Sequence, residues 1–264
     1  MKNLTNSETR FNTGILFIVF NRLNETKQVF NVIKEIKPER LYISSDGPRS
    51  SVEDDFFKIK EIREYLISCV DWDCDVKTLF REHNIGCGSN VKSSIDWFFE
   101  YEDYGIILED DCVPVNSFFL FCESLLRKYA HDTRIGLISG TNHFTNYYKD
   151  ENSYFFSKSY GIWGWATWKR SWNHMDYKMT WLKDNKKMST IKNMSYSVLS
   201  YSYWKSCINK IEKNQVDSWD WQWCFALSNQ NLLCITPKEN LISNVGWGED
   251  ATHTIGRAKK SYKK

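Results

Sequence analysis

Three consecutive carboxylates, Glu109, Asp110 and Asp111, follow the short apolar run of residues 105–108. Such a run is typical of a strand that is buried on both faces of a parallel sheet. Acids at the carboxyl end of that strand would lie where open α/β sheets bind ligands, and their oxygens suit a divalent cation. Taken alone, the triplet is more often a polar loop that leads into the next helix.

Polar residues also end two other predicted strands. Residues 14–20 form an apolar strand that leads to Arg22, and residues 41–44 form a second strand that leads to Asp46. Because parallel strands end at the same edge of a sheet, we expect these side chains to lie near the acidic triplet. Each also has a plainer explanation, a surface salt bridge for Arg22 and an Asp-Gly-Pro turn for Asp46.

An acid in the second half of the chain is a candidate general base. Asp220 has Trp219, Trp221 and Trp223 as neighbours. An apolar wall of this kind limits water and offers sugar rings a stacking surface, while a carboxylate in it can remove a proton from an attacking hydroxyl. Asp217 is the alternative base, and a helix-capping role is the plainer reading of Asp220.

Strands alternate with amphipathic helices over the first 140 residues, which predicts an α/β fold with a mainly parallel, doubly wound sheet. The predicted strands cover residues 14–20, 41–44, 76–80, 105–108, 135–139, 154–157 and 232–235. The predicted helices cover residues 24–36, 54–67, 90–98, 117–126, 201–213 and 219–227. From Tyr147 to Trp223 the pattern is aromatic and irregular, and we expect a bend at residues 161–168.

Composition excludes several classes of protein. A net charge of +2 over 264 residues gives no general attraction to nucleic acid. The eight cysteines form no CxxC pair and suit reduced, buried thiols. The first ten residues lack the apolar core of a signal peptide, so we expect a cytoplasmic protein.

We expect one domain over residues 14–255, with a nucleotide-binding half at 14–140 and an acceptor half at 141–255. Residues 1–13 are a polar lead, and residues 256–264 are a basic tail. The tail is most simply a solvated end; peripheral contact with the inner face of a membrane is the minority interpretation.

Several segments resemble, in the same order along the chain, those of the GT-A-fold (Rossmann-like) nucleotide-sugar transferases, with N-acetylglucosaminyltransferase I and related bacterial glycosyltransferases as the nearest counterparts. The segments are residues 18–22, 43–46, 107–111, 113–115, 118–119, 161–165, 219–221 and 237–243.

The resemblance implies a role for each acid of the triplet. Asp111 would bind the metal, Asp110 would lie near the ribose, and Glu109 would face the donor sugar. A hard cation there, Mn²⁺ or Mg²⁺, would neutralise the diphosphate leaving group.

It also implies a donor site around the triplet. Arg22 and Asp46 would contact the uracil ring and the ribose, and Asn90 would lie near the diphosphate. Trp163, Trp165 and Trp219 would be walls for the sugar, although core packing is the usual role of a tryptophan. A loop at residues 246–253 would close on the diphosphate, with His253 as a metal or phosphate ligand.

The function that follows is a metal-dependent glycosyltransferase. It would move a sugar from a UDP-sugar, with UDP-GlcNAc as one candidate, to a hydroxyl of a glycan or lipid-linked saccharide in polysaccharide biosynthesis. The resemblance implies inversion at the sugar carbon. The alternatives are a sugar-phosphate nucleotidyltransferase, whose glycine-rich phosphate loop is missing from residues 21–25, and a carbohydrate-binding or membrane-active protein without catalysis.

Overall fold

The computed structural model describes residues 10–143, 151–184 and 186–246. The strands of these ranges are β1 (Ile15–Val19), β2 (Arg40–Ser45), β3 (Asp75–Phe80), β4 (Tyr104–Glu109), β5 (Cys112–Pro114), β6 (Ile135–Ser139), β7 (Tyr154–Ser157), β8 (Trp165–Trp168), β9 (Leu233–Pro237) and β10 (Ile242–Asn244). The α-helices are α1 (Leu23–Ile36), α2 (Asp55–Ser68), α3 (Cys87–Tyr101), α4 (Asn116–Lys128), α5 (Lys169–Trp172), α6 (Lys187–Met194), α7 (Val198–Glu212) and α8 (Asp220–Asn229).

Eight of these strands form one sheet in the order β3-β2-β1-β4-β8-β6-β9-β7. Strands β3, β2, β1 and β4 pair in parallel, and so do β6 and β9. Strands β8 and β7 run antiparallel to their neighbours. The predicted α/β class with a mainly parallel sheet is therefore confirmed. In addition, β5 and β10 form a small antiparallel ribbon.

The sheet is buried on both faces because successive side chains of a strand point to opposite sides. In β1, Ile15 and Phe17 pack in a core with helices α1, α2 and α4, whereas Leu16 and Ile18 pack in a second core with α3, α6, α7 and α8. All four side chains are at most 5% exposed. This explains why β1 is a continuous apolar run rather than an alternating one.

The bend predicted at residues 161–168 is only half correct. Gly164 has a φ of 57°, and a Cβ there would lie 2.4 Å from Ile242 Cδ1, so the turn requires glycine. Trp165 then begins β8, which inserts between β4 and β6 in the middle of the sheet. A four-residue strand gives too little periodicity for sequence reading to detect it.

The second half also contains a helix that the sequence did not predict. Helix α6 occupies Lys187–Met194, and α7 begins at Val198 rather than at residue 201. The Ser197 side chain caps α7 by accepting a hydrogen bond of 3.1 Å from the amide of Ser200. Within the described ranges, no helix combines the length and apolarity that crossing a membrane requires.

Candidate active site

The acidic triplet lies at the end of β4, beside the end of β1. Glu109 is the last residue of β4 and pairs with Ile18, and a tight turn at Asp110 and Asp111 leads into β5. Strand alternation puts Glu109 on the same face of the sheet as Ile107, which is the face that helix α8 covers. Glu109 therefore faces the amino-terminal end of α8, where Asp220 lies.

Arg22 joins two acids of the triplet. Its guanidinium Nη2 donates to Asp110 Oδ1 and, over 3.2 Å, to Asp111 Oδ2. Asp110 also accepts a hydrogen bond of 3.3 Å from the amide of Phe20. Since Asp110 is only 3% exposed, these bonds fix the loop after β1 against the turn after β4. Arg22 is thus not a surface salt bridge.

The two residues after β10 hold Asp111 from the other side. The backbone amide of Val245 donates to the Asp111 carbonyl over 2.8 Å. A Cβ at Gly246 would lie 2.1 Å from Asp111 Oδ2 and 2.7 Å from Arg22 Nη1. Only glycine lets the backbone pass so close to the carboxylate, so Gly246 belongs to the site although sequence analysis assigned it no separate role.

The electrostatics of the site oppose charge on two of its acids. Burial, followed by the negative charges of Asp111, Asp110 and Asp220, raises the pKa of Glu109 well above its ordinary value. Burial also raises the pKa of Asp110 to about 6, although the Arg22 guanidinium acts in the opposite direction. A cluster of carboxylates whose charge is disfavoured in the folded chain is a place where added positive charge binds well.

Glu109→Gln is therefore expected to make the ligand-free chain more stable at neutral pH. An acid with a raised pKa weakens folding increasingly as the pH rises from its ordinary value of 4.5, since the folded state resists ionisation. The gain, on the order of 3 °C in Tm at pH 7, should shrink towards zero near pH 4. Thermal unfolding of both proteins across this pH range measures it, and an equal Tm throughout would contradict the assigned electrostatics.

Asp220 begins helix α8 above a cluster of four tryptophans, Trp165, Trp172, Trp219 and Trp223. The rings of Trp165 and Trp219 stack at 6.0 Å, and those of Trp172 and Trp223 lie 4.8 Å apart. The Ser218 hydroxyl donates to Asp220 Oδ1 over 2.7 Å. Rigid aromatic packing below and a hydroxyl beside it fix the carboxylate at the cavity that Asp220 lines.

Asp217 has a different surrounding. Its Oδ1 accepts a hydrogen bond of 3.3 Å from the amide of Gly88, in the first turn of α3. This contact favours a carboxylate because helix amino termini carry partial positive charge. Asp217 is also exposed, whereas Asp220 is half-buried. The geometry favours Asp220 as the residue that faces the triplet.

Two adjoining cavities surround these residues. The larger has a volume of about 410 Å³ and is lined by Glu109, Asp111, Asp220 and Trp163, among others. The smaller has a volume of about 160 Å³. Both are lined by Arg22, Cys87 and Glu109, so they meet at the strand ends. Their sizes suit a ligand in two parts, one in each cavity.

Asp46 and Asn90 lie at the smaller cavity. Asp46 is 3% exposed and accepts hydrogen bonds from the amides of Gly47 and Ile85, at 2.9 and 3.1 Å, and from the Asn84 side chain at 3.0 Å. The side-chain oxygen of Asn90 accepts from Arg81 Nε over 3.0 Å. Asp46 thus anchors the loop after β3 against the strand ends.

Sequence reasoning did not identify some residues that line the smaller cavity. Asn84 lies on the loop after β3 and Arg49 lies on the turn after β2. Arg49 stacks 5.3 Å from the centre of the Phe20 ring and holds Asp55 with a 2.6 Å ion pair. Cys87 begins helix α3, and no local pattern marks it because its role depends on where that helix starts.

The three predicted aromatic walls have different positions. Trp163 and Trp219 line the larger cavity, although Trp219 is only 4% exposed. Trp165 is fully buried, lines none of these cavities and packs in the core with Trp219 and Trp223. The expectation that Trp165 forms a wall for the sugar is therefore wrong, because its side chain points into the core. His253 and the rest of the loop beyond Gly246 lie outside the described residues.

A divalent cation is compatible with the carboxylates that are present. Among the described residues, no cluster of three or more His, Cys, Asp and Glu side chains has the geometry of a metal cage. Mg²⁺ does not require one, because it usually binds through one or two carboxylates together with waters and substrate phosphates. Asp111, which lines the larger cavity, fits such an open site.

No protein-family model and no curated protein sequence matches the chain. Among solved structures it is similar to TarS 1–349 of S. aureus, with a TM-score of 0.44 at 10% identity over 87% of this chain and 59% of that one. For the glycosyltransferase GlyE of Streptococcus pneumoniae the TM-score is 0.35 at 10% identity, over 93% of this chain and 58% of that one. For mouse xyloside xylosyltransferase 1 the TM-score is 0.35 at 9% identity, over 83% of this chain and 82% of that one.

The chain thus spans 59% and 58% of the TarS and GlyE structures. At TM-scores this low the likenesses assign no activity.

Proposed function

We propose that the chain is a glycosyltransferase of GT-A type that moves a sugar from a UDP-sugar to a hydroxyl of a glycan or lipid-linked saccharide. One observation carries the proposal. Acids from the end of β4 and from the start of α8 meet at one cavity, next to a smaller cavity with Arg22 and Asp46. The smaller cavity suits the nucleoside, and the larger suits the sugar and the acceptor.

Each acid of the triplet has its own proposed role. Asp111 is the proposed ligand of Mn²⁺ or Mg²⁺, which supplies positive charge to the diphosphate leaving group. Arg22 pairs with Asp110 and Asp111 and lines both cavities, and it is the proposed contact of the uracil ring. Asp110 orients Arg22 and the loop after β1, and Glu109 faces the sugar.

Asp220 is the proposed general base. It would accept the proton of the acceptor hydroxyl as that oxygen attacks the sugar carbon, which gives inversion of configuration. The Ser218 hydroxyl, 2.7 Å from Asp220 Oδ1, holds the carboxylate in place. A further surface cavity of about 680 Å³ shares Val216, Asp217 and Ser218 with the larger cavity, and we assign it to the acceptor.

The connection between β1 and α1 disfavours a sugar-phosphate nucleotidyltransferase. Strand β1 ends at Val19 and α1 begins at Leu23, so Phe20, Asn21 and Arg22 are the whole loop. The loop has no glycine and no room for a phosphate-binding turn made of backbone amides. A carbohydrate-binding protein without catalysis remains the alternative that the following experiment separates.

The test is a thermal shift with UDP in the presence and absence of MnCl₂, for the parent and Asp111→Ala. Because a ligand that binds the folded state raises Tm, UDP at 100 times its Kd should stabilise the parent by about 2.7 kcal/mol when Mn²⁺ is present. Asp111→Ala should lose the metal-dependent part. Asp73→Ala is the matched control, because this 83% exposed side chain lies just before β3, at the edge of the sheet opposite the triplet.

Failure of UDP, GDP and dTDP to shift the parent at any metal concentration would overturn the transferase proposal. A rise in Tm with UDP that is the same with and without Mn²⁺ would rule out Asp111 as the metal ligand, but it would still support the nucleotide site. Release of UDP from a panel of UDP-sugars, beginning with UDP-GlcNAc, then identifies the donor.

A further inference from the structure

Four apolar side chains project into solvent where α6 ends and α7 begins. The exposed fractions are 89% for Tyr196, 83% for Val198, 84% for Leu199 and 54% for Tyr203. Val198 and Leu199 are in the first turn of α7, and Tyr203 lies one turn further on the same side as Leu199. We call these residues the 196–203 tip. Folded proteins seldom leave neighbouring apolar side chains so exposed unless the surface binds something.

The tip is the connecting end of a helical hairpin. Lys187, at the start of α6, donates to Glu212 Oε2, at the end of α7, over 2.7 Å. The two helices therefore run antiparallel, and the connection at residues 195–197 lies at the opposite end. The inner faces of both helices pack in the core through Ile191, Cys207 and Ile208. Packing inside the protein thus leaves Tyr196, Val198 and Leu199 largely in solvent.

The hairpin is basic. Residues 183–213 contain seven lysines against two acids, Asp184 and Glu212, in a chain whose total net charge is only +2. Lys192, in the last turn of α6, and Lys205, on α7, are both exposed. Apolar side chains with lysines around them complement the two layers of an anionic membrane surface, the acyl boundary and the charged headgroups.

The hairpin packs against helix α8, whose first residue is Asp220. Trp204 of α7 packs against Phe225 of α8, with ring centres 5.7 Å apart. The tip itself lies towards the end of α8 that is distant from Asp220, because Asn193, near the end of α6, donates to the Ser228 carbonyl over 3.1 Å.

We propose that the 196–203 tip docks the protein on the surface of an anionic lipid bilayer. Val198 and Leu199 enter the boundary between headgroups and acyl chains, where the two tyrosines keep their hydroxyls in the polar layer. Lys192 and Lys205 contact the lipid headgroups. The proposal does not rest on the transferase function, because docking requires neither donor nor acceptor.

The test is co-sedimentation of the full chain with vesicles of neutral phosphatidylcholine, or of phosphatidylcholine with about 30% phosphatidylglycerol, without nucleotide. The parent should bind the anionic vesicles, and Val198→Ser/Leu199→Ser should bind them on the order of tenfold more weakly. Lys192→Gln/Lys205→Gln should weaken binding at low salt, and its difference from the parent should shrink as salt is added. The matched control is Leu120→Ser, which removes a 64% exposed leucine from α4 on the other face of the sheet.

Each outcome decides the proposal. Weaker binding of the tip variant, with Leu120→Ser equal to the parent and all Tm values unchanged, supports it. Equal binding of the tip variant and the parent overturns it and assigns vesicle binding to another segment, such as the basic tail at 256–264. A third result would also overturn it: a parent that does not bind vesicles but self-associates, with self-association lost in the tip variant. The partner of the tip would then be a second copy of the chain.

Discussion

Asp220→Asn is expected to reduce turnover by roughly 10²–10⁴-fold, the usual contribution of a general base. The amide keeps the shape of the carboxylate and its contact with Ser218, which lies 2.7 Å from Oδ1. Only the ability to accept a proton is lost, so the affinity for UDP and Mn²⁺ should stay the same. Steady-state release of UDP from the donor, together with a thermal shift by UDP, measures the two effects separately.

Asp217→Asn is the complementary test of whether Asp220 or Asp217 is the general base. Its carboxylate accepts a hydrogen bond from the Gly88 amide, which an asparagine oxygen also accepts. Turnover should therefore change by only a few fold. If Asp217→Asn lost turnover while Asp220→Asn kept full activity, the roles of the two residues would be exchanged. A product that retains the anomeric configuration of the donor would remove the base from the mechanism altogether.

Trp165→Ala is expected to destabilise the chain by about 3–5 kcal/mol, which is typical of truncating a large buried aromatic side chain. Trp165 is fully buried in the central sheet, and its ring contacts those of Trp172, Trp219 and Trp223. The cavity left behind lies directly under the start of α8. Urea unfolding should show an earlier midpoint, and activity should fall because Asp220 loses its support.

Trp163→Ala, only two residues earlier, is the matched comparison. Trp163 is half-buried and lines the larger cavity, so its loss should mainly raise the KM for donor or acceptor. The unfolding midpoint should move much less than for Trp165→Ala. Similar destabilisation by both changes would contradict the division between a cavity wall and a core residue.

The strand ends that carry the site could be predicted from the sequence. Continuous apolar runs before Arg22 and before Glu109 are typical of strands buried on both faces, and parallel strands end at one edge. Local pattern was therefore sufficient to group Arg22, Asp46 and the triplet, and the cavities of the structure do bring them together. The roles of Asp111 in metal binding and of Asp220 in catalysis stay predictions.

Other features depended on contacts between distant parts of the chain. Strand β8 and helix α6 lie in an aromatic and basic region where local periodicity is weak, and their positions follow from packing against β4, β6 and α8. Whether a tryptophan at residue 163 or 165 faces a cavity depends on which face of the sheet each reaches. The close passage of Gly246 beside Asp111 likewise requires β5 and β10 to pair.

Short-range periodicity was enough to establish the α/β class, the strand ends and the residue types available for chemistry, because each of these is encoded in neighbouring residues. How those residues are used follows from long-range packing. The folded chain pairs Arg22 with Asp110 and Asp111, attaches Asp217 to the start of α3 and leaves Asp220 facing the triplet. Such choices depend on contacts between residues up to 129 positions apart, which no local pattern encodes.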